Sequence, residues 1–384
     1  MDLTKNVYMN SKKADDPFIS NSQAFIENNK EYLKEAKHIR ISFNHTVKHN
    51  AKKKDFYKEI ADVKILVLTA NEIERETLFS CSVKHPNSLI ESEEDIIIRI
   101  PYSGLVYSIF YINDIKIVHV EPEMTGSYSK GGTAETLQKA LEHVRPSVVL
   151  SVGVAFGYDI EKQNLCDVLV GRQFFSYDKS IKMLDDQIKI KRLHTFESSE
   201  NLLYKIKSNI MFEDKIIGLF NNTFNAHIGN ILTGEYVIDS RVFRDLIFSP
   251  FKPFGIIGGE MEAFGMFNSI EEYNAKHQRN KVHGIMIKGI CDWGAGKNAD
   301  FINEKDKVTV TPNVGENDNG KANRENSGEE DKNNLQTLAM CNACTVCKMF
   351  LKENNFFSDY KIYGMRKFFQ RCINRVRYFF ENLF

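Results

Sequence analysis

Two acidic motifs in the second half of the chain stand where apolar runs end. Ile285-Met286-Ile287-Lys288-Gly289-Ile290-Cys291-Asp292-Trp293-Gly294 closes a β-branched run on an aspartate and a glycine-containing loop. Gly258-Gly259-Glu260-Met261-Glu262-Ala263 sets two glutamates after a glycine pair. The first pattern predicts a buried strand with Asp292 just past its carboxyl end, where open α/β sheets hold their ligands. A Glu and an Asp delivered in this way suit the breaking of a polar bond in a small molecule. Each acid also has a plain structural reading. An Asp close to Gly is a common turn residue, and Glu260 and Glu262 can be first-turn acids set against a helix dipole.

The elements that would position these acids follow from the pattern along the chain. An apolar strand over residues 63–70 runs into the acidic helix start Asn71-Glu72-Ile73-Glu74-Arg75-Glu76. Strands are expected at 96–100, 107–112 and 115–120. A Gly/Ser loop at 125–133 opens a helix through residue 144, and a buried strand at 146–152 ends at Gly153-Val154-Ala155-Phe156-Gly157. Further strands are expected at 167–173 and 228–233, with helices at 259–273 and 335–351. This alternation argues for one α/β domain: three layers, a central mixed and mostly parallel sheet, helices on its faces.

That domain is expected to span residues 61–351. Residues 1–60 are polar and Lys/Asn-rich and read as an N-terminal extension. Residues 303–334 hold almost no apolar side chain and read as a flexible insertion. Residues 352–384 read as a basic amphipathic C-terminal helix, able to meet a protein partner or a membrane surface, docking on the body or on a second subunit being favoured.

Composition narrows the class. Lys+Arg and Asp+Glu both number 51, which leaves no net charge to draw nucleic acid. No apolar run reaches the roughly 20 residues of a membrane span, and the start Met1-Asp2-Leu3-Thr4-Lys5-Asn6 lacks a signal peptide's apolar region. Seven cysteines without framework spacing read as free thiols in a reducing compartment. A cytoplasmic protein is expected.

With these pieces placed, the chain resembles the purine nucleoside phosphorylase / methylthioadenosine–adenosylhomocysteine nucleosidase superfamily. Four blocks carry the resemblance in order: Ile65-Leu66-Val67-Leu68-Thr69-Ala70-Asn71-Glu72-Ile73-Glu74, Leu141-Glu142-His143-Val144-Arg145-Pro146-Ser147-Val148-Val149-Leu150-Ser151-Val152-Gly153, Gly259-Glu260-Met261-Glu262-Ala263, and Lys288-Gly289-Ile290-Cys291-Asp292-Trp293. The ending Cys291-Asp292-Trp293-Gly294-Ala295-Gly296-Lys297-Asn298 is most similar to the nucleosidase-like subgroup, whose domains are often attached to immune-type or signalling proteins.

The resemblance implies cleavage of a purine N-glycosidic bond, adenine being the expected base, with release of the free base. Asp292 would be the general acid toward the purine N7, its pKa raised by burial in a mostly closed pocket. Glu262 would hold the ribose hydroxyls, and Met261 would lean its thioether on the sugar. Glu74 would orient and deprotonate water, with Glu72 and Glu76 as alternatives. Gly153 and Ala155 would be among the substrate-binding residues. Thr233-Gly234-Glu235-Tyr236-Val237-Ile238 resembles the base-binding loop, with the Ile238 backbone on the base edge. Val237 stands where relatives stack a ring, so stacking would fall to Tyr236, Phe174 or Phe175.

Phosphorylases of this superfamily hold phosphate with an Arg and a Ser beside the central glycine; here Ser151 and Val154 stand there, and an isopropyl group cannot donate to phosphate. Water is therefore the expected nucleophile. A phosphate-dependent phosphorylase and a non-catalytic nucleotide sensor are the alternatives. Lys130 lies in the Gly/Ser loop at a helix start, a place that can cradle the 5′-phosphates of a nucleotide; Arg172, Lys179, Arg241 and Lys297 offer further charge. The spacing of Cys341, Cys344 and Cys347 lacks a fourth ligand and reads as core packing. No metal and no cofactor are expected, and the resemblance implies a symmetric homo-oligomer.

Overall fold

The computed structural model describes residues 16–41, 46–47, 53–82, 97–112, 115–184, 187–210, 215–295 and 319–352. Its strands of three or more residues in the main sheet are β1 (Ile65–Leu68), β2 (Ile98–Tyr102), β3 (Leu105–Ile112), β4 (Ile115–Val120), β5 (Val148–Gly157), β6 (Val168–Ser176), β7 (Thr195–Glu197), β8 (Ala226–Thr233), β9 (Ile256–Glu260) and β10 (His283–Asp292). Helices of eight residues or more are α1 (Pro17–Asn28), α2 (Lys30–Ile41), α3 (Glu72–Ser82), α4 (Thr133–Val144), α5 (Glu200–Ile210), α6 (Arg241–Phe248), α7 (Ala263–Lys276) and α8 (Asn319–Leu351).

The central strand β5 is built from a β-branched run because both of its faces are covered. Val149 and Ala155 enter one core, while Val148, Leu150 and Val152 enter the other. β10 shares this division: Met286 and Ile290 face the first core, Ile285 and Ile287 the second. Pairing then departs from the expected open sheet. The sheet is mixed, but β10 pairs with both β5 and β6, and the ladders β5–β9–β8–β6–β10 return to β5. The strands therefore close into a barrel, with β1, β4, β3 and β2 continuing as an open wing from β5. Two of the five ring ladders, β9–β5 and β10–β6, are antiparallel, as are β2–β3 and β3–β4 in the wing, so parallel and antiparallel pairing occur side by side.

Two expected boundaries move. The glycine pair Gly258-Gly259 belongs to β9, and helix begins only at Ala263. The 303–334 insertion, expected to be flexible, is helical from Asn319 onward, where α8 starts. α8 lies against β10, where a Cβ on Gly289 would collide with the Ala339 carbonyl; small residues on the helix permit this approach. The N-terminal segment also folds onto the body, with Phe18, Leu33 and Ala36 in the first core. Among the described residues no helix is long and apolar enough to cross a membrane. The C-terminal segment 353–384 lies outside the described residues.

Candidate active site

Glu74 is fixed from two directions. Asn71 caps α3, its side chain accepting from the Glu74 amide at 3.1 Å, which is one half of a capping box. The carboxylate does not complete the box. It bridges two neighbouring strands, Oε2 accepting from Ala70 N at 2.6 Å and Oε1 from Val154 N at 2.8 Å. Gly153 makes this possible, since a Cβ there would stand 2.5 Å from Oε1. Burial pushes the Glu74 pKa up to about 7, against the pull of Lys288 and with the push of Glu262.

Lys288 lies in mid-strand on β10, in register with Gly153, and is buried. An ammonium removed from water is tolerated only when paired. Its Nζ pairs with Glu262 Oε2 and stands 3.3 Å from Glu260 Oε2. Burial draws its pKa down, but Glu262, Glu260 and Glu74 outweigh that and hold it above the ordinary lysine value. Glu260 also fastens the start of α7, its Oε2 accepting from Glu262 N at 2.8 Å and from Ala263 N at 2.9 Å. The motif's two acids thus divide. Glu260 is the helix-start acid, whereas Glu262 makes no capping bond and turns its carboxylate to Lys288.

Asp292 ends β10 after a register irregularity at Cys291 and sits opposite Phe156, whose other neighbour is Gly259 on β9. Asp292 and the acidic end of β9 thus flank β5, two ladder steps or about 10 Å apart. Asp292 is half-buried at the strand end among the described residues. Its Oδ1 accepts from Gly294 N at 2.7 Å and its Oδ2 from the Cys291 thiol at 3.2 Å. Glu74 and Glu262 therefore meet around Lys288, and Asp292 stands four residues further along the same strand.

Of the other expected residues, Gly153 and Ala155 are buried on β5, and Met261 is half-buried with its carbonyl accepting from Ser127 Oγ at 2.8 Å. Tyr236 and Val237 are 64% and 63% exposed, while the Ile238 side chain is buried. Phe174 and Phe175 do not offer a stacking face. Phe174 is sealed against Phe267, ring centroids 4.5 Å apart, and Phe175 against Phe254 at 4.9 Å. Lys130 is exposed, and its loop is not an open anion cradle. The Ser127 and Tyr128 amides donate to Glu235 Oε1 at 2.9 and 2.8 Å, and the Gly131 amide donates to Glu135.

Sequence reasoning passed over Lys288 and Glu235. Lys288 left a signal: a charge inside an apolar β-branched run must find a buried partner. Glu235 left none, because its contact joins loops 107 and 108 residues apart.

No family model matches the chain. A curated relative, a death domain-containing ATP nucleosidase from Amphimedon queenslandica, is 22% identical over 177 residues, which are 42% of this chain and 31% of that protein. The matched region thus spans about a third of the relative's length. Among solved structures, a 5′-methylthioadenosine/S-adenosylhomocysteine nucleosidase from Neisseria meningitidis in complex with methylthio-immucillin-A superposes with a TM-score of 0.51 at 14% identity, covering 75% of this chain and 98% of that one. One from Colwellia psychrerythraea in complex with adenine gives a TM-score of 0.51 at 15% identity, covering 76% and 95%. The barrel with its open wing is therefore the fold of the methylthioadenosine/adenosylhomocysteine nucleosidases.

Proposed function

We propose that this chain hydrolyses the N-glycosidic bond of a purine nucleoside or nucleotide, adenine being the base released. The observation that carries the reading is the Glu74 carboxylate, buried, held by the Ala70 and Val154 amides, and set beside the Lys288–Glu262 pair with a pKa near neutrality. A carboxylate with that pKa can take a proton from water at physiological pH. The Val154 amide, which flanks the place where phosphorylases hold phosphate, is already bound to Glu74; this favours water over phosphate.

In the reaction, water oxygen bonds to the sugar C1′ as the C1′–N9 bond breaks and its electron pair enters the purine. Glu74 accepts the proton lost by water. Asp292, when it carries a proton, donates it to N7, so that the base leaves neutral. Glu262, oriented by Lys288, accepts from the ribose hydroxyls and faces the cationic sugar. Met261 packs on the sugar, Gly153 and Ala155 form its floor, and the exposed Tyr236 and Val237 cover the base beside the Ile238 backbone.

One cavity supports a nucleotide as the substrate, although the acidic Glu271 also lines it. A cavity of about 470 Å³ lined by Tyr128, Lys179, Arg192, His194, Phe196 and Phe264 opens next to the motif carrying Glu262. The activity in the name of the Amphimedon relative supports this choice. The catalytic body is taken as residues 61–351, acting as a cytoplasmic symmetric oligomer as the resemblance implies, with a signalling or defence role.

The test is incubation with adenosine, AMP and ATP in phosphate-free buffer, with released bases resolved by chromatography. Free adenine is expected, falling at least about 100-fold in Asp292→Asn. Adenine that appears only when phosphate is added, together with a sugar 1-phosphate, would make the protein a phosphorylase.

A further inference from the structure

Six cysteines lie among the described residues, all buried, and three of them meet at the contact of α3 with α8. The Cys81 and Cys341 sulfurs are 3.5 Å apart and share a hydrogen bond. Cys344, one turn further along α8, lines the same cavity. This cavity of about 190 Å³ is walled by the three cysteines with Thr345 and Lys348, and closed on its other side by Ile217, Gly218 and Leu219. Ile217 is 62% exposed, so the cavity reaches the surface. Cysteines that merely pack as small hydrophobes need neither one another nor a route to solvent. These have both, and nothing in the glycosidase chemistry uses them.

We propose that Cys81 and Cys341 are a redox-modified dithiol, joined as a disulfide when hydrogen peroxide enters this cavity, and that the bond acts on Glu74 through α3. The hydrogen bond from Cys341 holds the Cys81 thiol well below its usual pKa, against burial and with help from Lys348. A thiolate is the attacking species in such chemistry. Its sulfur attacks a peroxide oxygen, the O–O bond breaks, and the departing hydroxide takes a proton to become water, leaving a sulfenic acid. The Cys341 sulfur then attacks that sulfur, the S–S bond forms, and the hydroxyl leaves as a second water with the Cys341 proton. Two electrons pass from the sulfur pair to the peroxide.

The mechanical link is short. Cys81 lies seven residues from Glu74 on the same face of α3, about 10.5 Å along the helix. Closing the sulfurs from 3.5 Å to about 2.05 Å draws α3 against α8. Glu74 has no slack to absorb this, being held at 2.6 and 2.8 Å by the Ala70 and Val154 amides and wedged against Gly153. A displacement of about 1 Å at a reacting group can cost on the order of 100-fold in rate.

The experiment treats the full chain with hydrogen peroxide, counts thiols after denaturation, and maps peptides without reduction. The seven thiols are expected to fall by two, with a Cys81–Cys341 linked peptide, and adenine release is expected to drop about tenfold and return with dithiothreitol. Cys81→Ser should resist both changes; a Cys341→Ala, Cys344→Ala double variant, matching the alanines nearby on α8, provides the same control. The activity arm rests on the function proposed above, whereas the thiol count and peptide map do not. A chain that cross-links but releases no adenine even when fully reduced would therefore uphold the dithiol, refute that function and overturn the link to Glu74. Seven thiols surviving treatment, or a cross-link that leaves turnover unchanged, overturns the proposal.

Discussion

Glu74 holds a proton up to near neutrality because burial removes water from its carboxylate and the neighbouring Glu262 adds repulsion, while Lys288 offsets only part of this. Its pKa of about 7 lies above the ordinary 4.5, so the folded state binds this proton more tightly than the unfolded one. The associated stability is complete below pH about 4.5 and is lost as pH rises through about 7, a total of about 3 kcal/mol. Urea unfolding of the wild type and of Glu74→Gln across pH 4.5–8 should show that difference shrinking by roughly this amount; a constant difference would place the proton elsewhere. Adenine release should rise with pH over the same interval, as the base form appears. At this scale the sequence was informative where charge conflicted with pattern. Asp292 at the end of an apolar run and the paired acids around Met261 were legible. Their division of labour was not, because which of Glu260 and Glu262 turns to Lys288 depends on backbone angles at the entry to α7.

The strands explain why glycines occur where a side chain would be expected. β5 carries no Cβ at Gly153, and the vacated volume is filled by the Glu74 carboxylate. Gly153→Ala should therefore lower adenine release about 100-fold while costing only about 1–2 kcal/mol in urea unfolding; an active alanine variant would show that Glu74 is not needed in this position. Gly259 is required in the same way, since a Cβ there would enter the Phe156 ring. The reading of residues 259–260 as helix failed for this reason: a glycine pair before acids reads as a helix start, but here it lets β9 cross close to β5. Elements with strong periodicity or β-branched runs, such as α4, β5 and β10, were legible to within a few residues. α8 was legible only over its apolar half, because its polar first turns carry no pattern that tells helix from loop.

Across the whole molecule the N-terminal helix is part of the body. Phe18 lies under the Arg244 guanidinium at 4.3 Å and 6.5 Å from the Trp293 ring, and the Trp293 indole donates to Asn21 at 3.0 Å. Phe18→Ala should cost about 3 kcal/mol in urea unfolding and shift the emission of Trp293, the one tryptophan of the chain, toward the red. An unchanged emission would mean that α1 does not cover this ring in solution. Neither this docking nor the closure of the barrel was legible, because both depend on contacts between distant segments, with Trp293 meeting Asn21 272 residues away. Closure has a consequence for how firmly the buried acids and lysine are held. A strand in an open sheet can slide or peel at a free margin, but β10 is laced on both sides, to β5 and to β6. The backbone under Lys288 and Asp292 cannot shift unless a hoop of hydrogen bonds is cut, so their placement along β10 is set once, at folding.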